Sequence, residues 1–470
     1  MHARLPGLSR ERAQQEKRSS NSAIEESLSE YYRIPANSLD FIVSEIAVRE
    51  IRFPRFGTGT NCHGSCEPGS IAKTAYTHLY DAPKYRDLNG CHVHLPFDPT
   101  EMIDNLRKER YATHLSFGQN GLVRHALVRN AYYAVREFLP LSVRCCLQKI
   151  YLGDWRQSSF PDWPVDFTVE TLHEDFLRIS MEAEGVRRVP FIWFWPEGAR
   201  NCLIMTHDVE TAVGRDFTPQ LMDLDDSRGI KASFQVVPEN RYEVPDDYVR
   251  EIRRREFEFN VHDLNHDGFL FREREEFLRR AEKINEYVRK YQARGFRSGA
   301  MYRNQEWFDA FEFSYDMSVP SVAHLEPQRG GCCTVMPYFI GKVLELPLTA
   351  TQDYSLFHIL NDYSLDLWKK QLALIREKYG LMSFTVHPDY LISQRARKVY
   401  EALLDYLREM ISREKIWMAL PGEVDRWWRA RSQMKLVPQG NSWAIDGPEK
   451  ERARVAYAVR DGARLTYELT

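Results

Sequence analysis

Between residues 200 and 430, short apolar runs alternate with longer amphipathic stretches. The run Cys202-Leu203-Ile204-Met205 ends in polar Thr206-His207-Asp208, which reads as a buried parallel strand whose C-terminal end faces a site. KASFQVV at 231–237 predicts a strand, DDYVREIRRRE a helix and FEFNVH another strand. A long helix is expected across EREEFLRRAEKINEYVRKYQARG, closed by Gly295, and a second across SLDLWKKQLALIREKYG, closed by Gly380. FRSGAMY, SYDMSVP, KVLELPL, LMSFTVHP and KIWMALP complete the strand candidates, with a helix over RARKVYEALLDYLREMIS. Repeated strand–helix units point to the α/β class, with parallel strands closing into a (β/α) barrel.

The flanks read differently. Residues 1–30 are charged and serine-rich and predict a disordered or loosely helical arm. Residues 31–157 read as an α+β N-terminal region of unknown role. They include a helix started by Asp98-Pro99-Thr100 and a helical face formed by Leu122, Ala126, Leu127, Ala131 and Val135. Residues 158–195 read as a proline-bearing linker and a helix over about 168–184 leading into the barrel, which takes 196–432. The tail, 433–470, reads as a small C-terminal β appendage, with NSWAIDG and two strands joined at Asp461-Gly462.

Composition narrows the picture without setting it. Hydrophobic residues make up 43% and charged residues 28%, with a formal net charge of −3. That is globular, and nothing in it suggests a nucleic-acid partner. Eight cysteines, two pairs of them adjacent, read as mostly free thiols in a chain long enough to need no staples. The polar start lacks a secretory apolar core, and no run of about 18 apolar residues exists. The expectation is a cytoplasmic protein without a membrane span.

Four polar clusters sit at the ends of the expected strands: Thr206–Glu210, His262–His266, Arg297–Gly299 and His387-Pro388. Catalytic residues of a parallel barrel come from the C-terminal ends of different strands, so one shared site accounts for all four. A His-x-x-x-His pair sets two imidazoles one helical turn apart, a usual grip on a divalent metal, and a nearby carboxylate completes a His₂-carboxylate set. Taken singly, each signal has a plainer explanation: a turn or cap for Asp208, an ion pair for Arg297, a loop imidazole for His387. The order of all four carries the reading. A second donor group, Cys62-His63-x-x-Cys66 with Cys91, His92 and His94, offers zinc ligands. Its C-x₃-C spacing and the lack of a matched second pair favour ordinary strand and turn residues.

In that order the segment 200–430 resembles the polysaccharide deacetylase (NodB-like, carbohydrate esterase family 4) superfamily. MTHDVE is similar to its first, Asp-bearing motif, HDLNH to His-Ser/Thr-x-x-His, RSGA to Arg-x-Pro-aromatic, and FTVHPD to the strand ending in His-Pro. The resemblance implies a distorted barrel of about seven strands. It implies Asp208 as general base, Arg297 as its orienting partner, His387 as general acid and the backbone N–H near Ala300 as an oxyanion donor. It implies His262 and His266 as ligands of one divalent ion, with Zn expected and Co, Fe, Ni or Mn as other ions of the class.

The departures are specific. Val209 stands where the family has a second, metal-binding aspartate, so Glu210 is expected as third ligand, with Asp208 itself as fallback. Asp263 replaces a hydroxyl and is a candidate partner for an imidazole. Gly299 replaces a proline, which would widen the site, and no Asp-Trp motif is evident near 316–335. The implied activity is metal-dependent removal of an N-acetyl group from a sugar or polysaccharide precursor. Hydrolysis of another non-peptide C–N bond, such as a cyclic imide, and a silent glycan- or partner-binding barrel stay open beside it.

Overall fold

The computed structural model describes residues 28–35, 97–112 and most of 141–470, with short strands between 42 and 95. The 1–27 part of the arm, the Leu122–Val135 face and the side chains of the Cys62–His94 group lie outside the described residues. The chain divides into two units. One gathers residues 1–110, 168–198 and 429–470, the other 111–167 and 199–428.

The second unit is built on a nine-stranded sheet. Strand β1 (Asn201–Val209) is buried at every position, as the apolar run requires. It is followed by β2 (Ala232–Val236), β3 (Glu258–His262), β4 (Gly295–Arg297), β5 (Tyr315–Asp316), β6 (Tyr338–Ile340), β7 (Val343–Glu345), β8 (Leu381–Val386) and β9 (Ile416–Met418). The order along the sheet is β6-β7-β5-β4-β3-β2-β1-β8, with β9 also on β1. Every pairing is parallel except β6 with β7. On one side β1 meets β8 along Cys202–His207. On the other it meets β9 at Asn201–Leu203 and then β2 from Met205 onward. That split is the distortion of the barrel.

Helices α1 (Ala212–Asp226), α2 (Asp246–Arg254), α3 (Arg274–Lys290), α4 (Asp366–Glu377) and α5 (Gln394–Arg413) lie between the strands. Acidic residues open α3 (Glu275, Glu276) and basic ones close it (Arg289, Lys290), matching the helix dipole. The apolar sides of strands and helices share one core, including Leu203, Phe234, Phe259, Phe296, Trp368, Phe384 and Leu404.

Two glycines expected to stop helices do something else. α3 ends at Lys290, and Gly295 is the first residue of β4, where a Cβ would lie 2.3 Å from the Tyr315 ring. After α4 the left-handed residue is Tyr379 (φ 56°), while a Cβ on Gly380 would lie 2.6 Å from Val335. Close packing, not backbone conformation, demands these glycines. Cys202, Cys332 and Cys333 are free, buried thiols, as expected.

In the first unit, Asp98 caps the helix Pro99–Arg107 by accepting from the N–H groups of Thr100 and Glu101 at 2.9 and 3.3 Å. The helix near 168–184 spans Thr168–Ala183. The tail forms the hairpin Lys435–Gln439/Ser442–Asp446, and Val455–Asp461 turns back as Arg464–Leu469 at the expected Asp461-Gly462 corner. Val455–Asp461 also pairs antiparallel with Arg188–Ile192, a long-range partner that no local pattern announced. Arg431, 1% exposed, donates to the carbonyls of Tyr31, Ile192 and Trp193 at 2.8 to 3.0 Å.

Candidate metal centre and acid–base site

β1 delivers Asp208 as its penultimate residue, with Glu210 one step past its end. β3 and β4 end on His262 and Arg297, which face each other in register. His387 follows β8 and opens the short helix Pro388–Leu391. All of these residues therefore meet at the C-terminal ends of the strands. The HDLNH pair departs from the helical picture: His262 ends a strand, and His266 sits in a turn with φ 55°, after Asp263 at φ 54°. The turn, not a helical repeat, brings the rings to a centroid distance of 4.8 Å.

Glu210, His262 and His266 each offer a ligand atom, and these atoms lie within 4.8 Å of one another. Glu210 Oε1 is 3.0 Å from His266 Nε2, 3.8 Å from His262 Nε2 and 3.5 Å from His387 Nε2. His262 Nδ1 donates to the Arg297 carbonyl at 3.0 Å. That fixes the tautomer and turns the Nε2 lone pair toward Glu210. His262 Nε2 is buried without a hydrogen-bond partner. A buried nitrogen costs free energy in that state unless something binds it. Two imidazoles and a carboxylate with one orphaned nitrogen fit a divalent ion of the zinc class.

Asp208 and Arg297 form a buried pair, Arg297 Nη1 to Asp208 Oδ1 at 2.7 Å. Arg297 also donates to Thr206 Oγ1 at 2.8 Å and to the Met317 carbonyl at 2.9 Å. Asp208 Oδ2 lies 3.9 Å from His262 Nε2, farther than Glu210 lies from His266. Burial alone would push the Asp208 carboxyl up. Arg297, helped by His262 and His387, outweighs it and holds the group below the usual carboxylate range. Glu210 is likewise held well below its ordinary value against burial by the three histidines.

His387 carries a partner that the sequence reading did not name. Asp353 accepts from His387 Nδ1 at 2.6 Å and from its backbone N–H at 2.8 Å. Burial disfavours an imidazolium here, but Asp353 and Glu210 outweigh it and raise His387 well above its ordinary value. Asp353 follows LELPLTATQ, the same run of apolar then polar residues that marked the other clusters, and could have been found by following that run further. Nearby, Glu326 accepts from Gln352 Nε2 at 2.6 Å, and burial pushes it up to about 7.

Asp263 holds backbone, not an imidazole. Its Oδ1 accepts from Leu264 N–H at 2.7 Å and its Oδ2 from Gly299 N–H at 3.2 Å. A Cβ on Gly299 would lie 2.4 Å from that Oδ2. The space beside Gly299 that a side chain would need is therefore taken by the Asp263 carboxylate.

No protein-family model matches the chain, and no curated protein is significantly similar in sequence. Among solved structures, a protein described as a polysaccharide deacetylase of Mycobacterium smegmatis is 17% identical, covering 51% of this chain and 93% of that one, with a TM-score of 0.41. The PuuE allantoinase is 13% identical over 50% of this chain and 92% of that one (TM-score 0.37). The peptidoglycan deacetylase PdaC of Bacillus subtilis is 11% identical over 49% and 93% (TM-score 0.30).

Proposed function

We propose that the barrel is a metal-dependent hydrolase that removes an N-acetyl group from a sugar or polysaccharide precursor. The observation that carries this is the convergence of Glu210, His262 and His266 around an orphaned, buried His262 nitrogen. Two oppositely prepared acid–base groups, Asp208 and His387, stand beside it. A divalent ion held by these three side chains supplies Lewis acidity and eases deprotonation of water.

The chain's own groups do the rest. Asp208, ionised and aimed by Arg297, accepts the proton of the water that attacks the amide carbonyl carbon. The backbone N–H at Ala300 is assigned to the oxyanion that develops there. As the C–N bond breaks, His387 gives its Nε2 proton to the leaving nitrogen, so acetate and a free amine depart. Asp353 keeps the His387 ring oriented and favours its charged form. An amide of this kind could also be cyclic; the substrate class is what the assay below decides. A cytoplasmic location, with a soluble precursor as substrate, completes the reading. No helix among the described residues is long and apolar enough to cross a membrane.

The test is elemental analysis of the purified chain beside a His262→Ala/His266→Ala variant, followed by acetate release from N-acetylglucosamine oligomers. About one ion per chain, lost in the variant, together with acetate release, is the expected result. Metal without acetate, but with cyclic-imide ring opening, transfers the site to the other C–N chemistry. No metal even after incubation with divalent ions leaves a silent binding barrel.

A further inference from the structure

The strand ladder stops one residue short of the general acid. β8 pairs with β1 as far as Val386, opposite His207, and Pro388 beyond His387 has no N–H with which to extend the pairing. Side chains take over from there. Asp353 accepts from the His387 backbone N–H at 2.8 Å and from the ring at 2.6 Å. The other end of the same peptide group, the Val386 carbonyl, is met by His207, whose Nδ1 donates to it at 3.1 Å. The peptide that carries the acid is thus gripped at its N–H and at its carbonyl by two different side chains.

His207 takes no part in the proposed acid–base chemistry. Alternation along β1 sends it to the face opposite Thr206 and Asp208. There it lies against Phe234 and against Tyr400 of α5, at ring-centroid distances of 5.0 and 6.0 Å. Its Nε2 meets Asp225 Oδ2 of α1 at 2.9 Å, and the Tyr400 hydroxyl donates to Asp225 Oδ1 at 2.5 Å. A carbonyl and a carboxylate both accept, so each nitrogen of the His207 ring donates. Burial, reinforced by Asp225, pushes the Tyr400 phenol well up and keeps it a donor. His207, Asp225 and Tyr400 have no exposed surface. Polar groups buried so completely cost free energy unless they are bonded, and here they are bonded in a row that ends on the peptide of His387. A phenylalanine would have nearly the same shape as His207; what the imidazole adds is the donor aimed at the Val386 carbonyl.

Resting on the deacetylase reading, we propose that His207 is a positioning residue for the general acid: held by Asp225 and Tyr400, it fixes the Val386–His387 peptide and with it the direction in which His387 Nε2 presents its proton to the leaving nitrogen. Asp208 follows His207 in the chain, so the test must separate a displaced acid from a displaced base. The leaving group does so. An amine needs the His387 proton as the C–N bond breaks, whereas 4-nitrophenolate leaves an acetate ester without one; both substrates need the attacking water.

The experiment compares zinc-loaded wild type, His207→Phe, His207→Gln and His207→Asn on N-acetylglucosamine oligomers and on 4-nitrophenyl acetate, with the metal content of each measured. The amide N–H of Asn falls near Nδ1 of the lost ring and keeps the donation to Val386; that of Gln falls near Nε2 and keeps only the bond to Asp225. His207→Phe and His207→Gln are expected to lower kcat for acetate release on the order of 10²-fold, the usual cost of a misplacement by about 1 Å, with KM and ester hydrolysis unchanged. His207→Asn is expected to recover most of that loss. Equal losses on amide and ester, no loss at all, or an Asn variant as poor as the Gln variant overturns the proposal. The His387 Nδ1 proton, identified in the proton–nitrogen NMR spectrum by its absence from His387→Asn, is expected to shift in His207→Phe, and an unmoved resonance also overturns the proposal. That readout needs no turnover: a shift in a protein that releases no acetate leaves the tether standing and sinks the deacetylation. If the His207 variants lose the ion, Tyr400→Phe, which keeps the imidazole and frees Asp225, is read in their place; an amide-only loss is expected there, and an equal loss or none overturns the proposal.

Discussion

Asp208 and Glu210 stand two residues apart on one strand end yet are prepared for different work. Glu210 is closest to imidazoles, whereas Asp208 is pinned by a guanidinium with no exposed surface. Glu210→Ala is therefore expected to lose the metal. Asp208→Asn is expected to keep it and to lower kcat/KM by about 10²–10⁴-fold, the usual worth of a positioned base. Loss of metal from Asp208→Asn would move the third ligand to Asp208. At His387 the sign of the pH effect is fixed by Asp353. The imidazolium form gives up the proton, so activity fades as pH rises through the His387 pKa, which Asp353 raises. In Asp353→Asn that pKa falls, and the alkaline limb of the kcat profile is expected at lower pH than in wild type. An unmoved limb would separate Asp353 from the acid. Asp208, Glu210 and His387 were legible in the sequence because each follows an apolar strand. Asp353 was not, because the eight residues ELPLTATQ separate it from the apolar centre of β7, and its role appears only once β8 brings His387 beside it.

At the level of elements, the turn after β3 and the turn after β4 form one device. Asp263 at φ 54° reaches over to the Gly299 N–H, and Gly299 has no side chain because the carboxylate fills that space. Gly299→Ala is expected to cost about 1–3 kcal/mol in denaturant unfolding, as overpacking generally does. Adding Asp263→Gly removes the carboxylate and places glycine where the backbone is left-handed. The double variant is expected to be more stable than the sum of the single effects by about 0.5–3 kcal/mol; strict additivity would show that the two turns are independent. The strand–helix alternation was readable because β1, β2 and β8 are buried on both faces and so carry unbroken apolar runs. The very short β5 fell inside the expected SYDMSVP strand, whereas the antiparallel β6 was not expected, since three residues hold no period. Gly295 and Gly380 misled for a physical reason: a glycine that admits a neighbour's ring or methyl looks, in sequence, like one that ends a helix.

For the molecule as a whole, every proposed ligand lies in the unit formed by 111–167 and 199–428. Binding stabilises what binds: metal at about 100 times its Kd adds about 2.7 kcal/mol to the folded state. Chelation is therefore expected to speed amide hydrogen exchange in β1, β3 and residues 262–266, and to leave that of Val455–Asp461 unchanged. Equal acceleration in both places would mean that the metal supports the chain globally. The barrel was visible at this scale because its syntax is local, strand after helix after strand. The pairing of Arg188–Ile192 with Val455–Asp461 was invisible because its two halves are far apart in the chain.

That separation also sets a timetable for the chain as it is made. Arg188–Ile192 leaves the ribosome before any of the barrel strands, whereas its partner emerges roughly 260 residues later, a delay of roughly 10–50 s at ordinary elongation rates. Through that interval every strand of the barrel can appear and pair, but Arg188–Ile192 must wait with the Val455 edge unfilled. An unpaired strand is a template for stray association, so the newborn chain is most exposed at this segment, and a helper that shields nascent β-edges would find its work there.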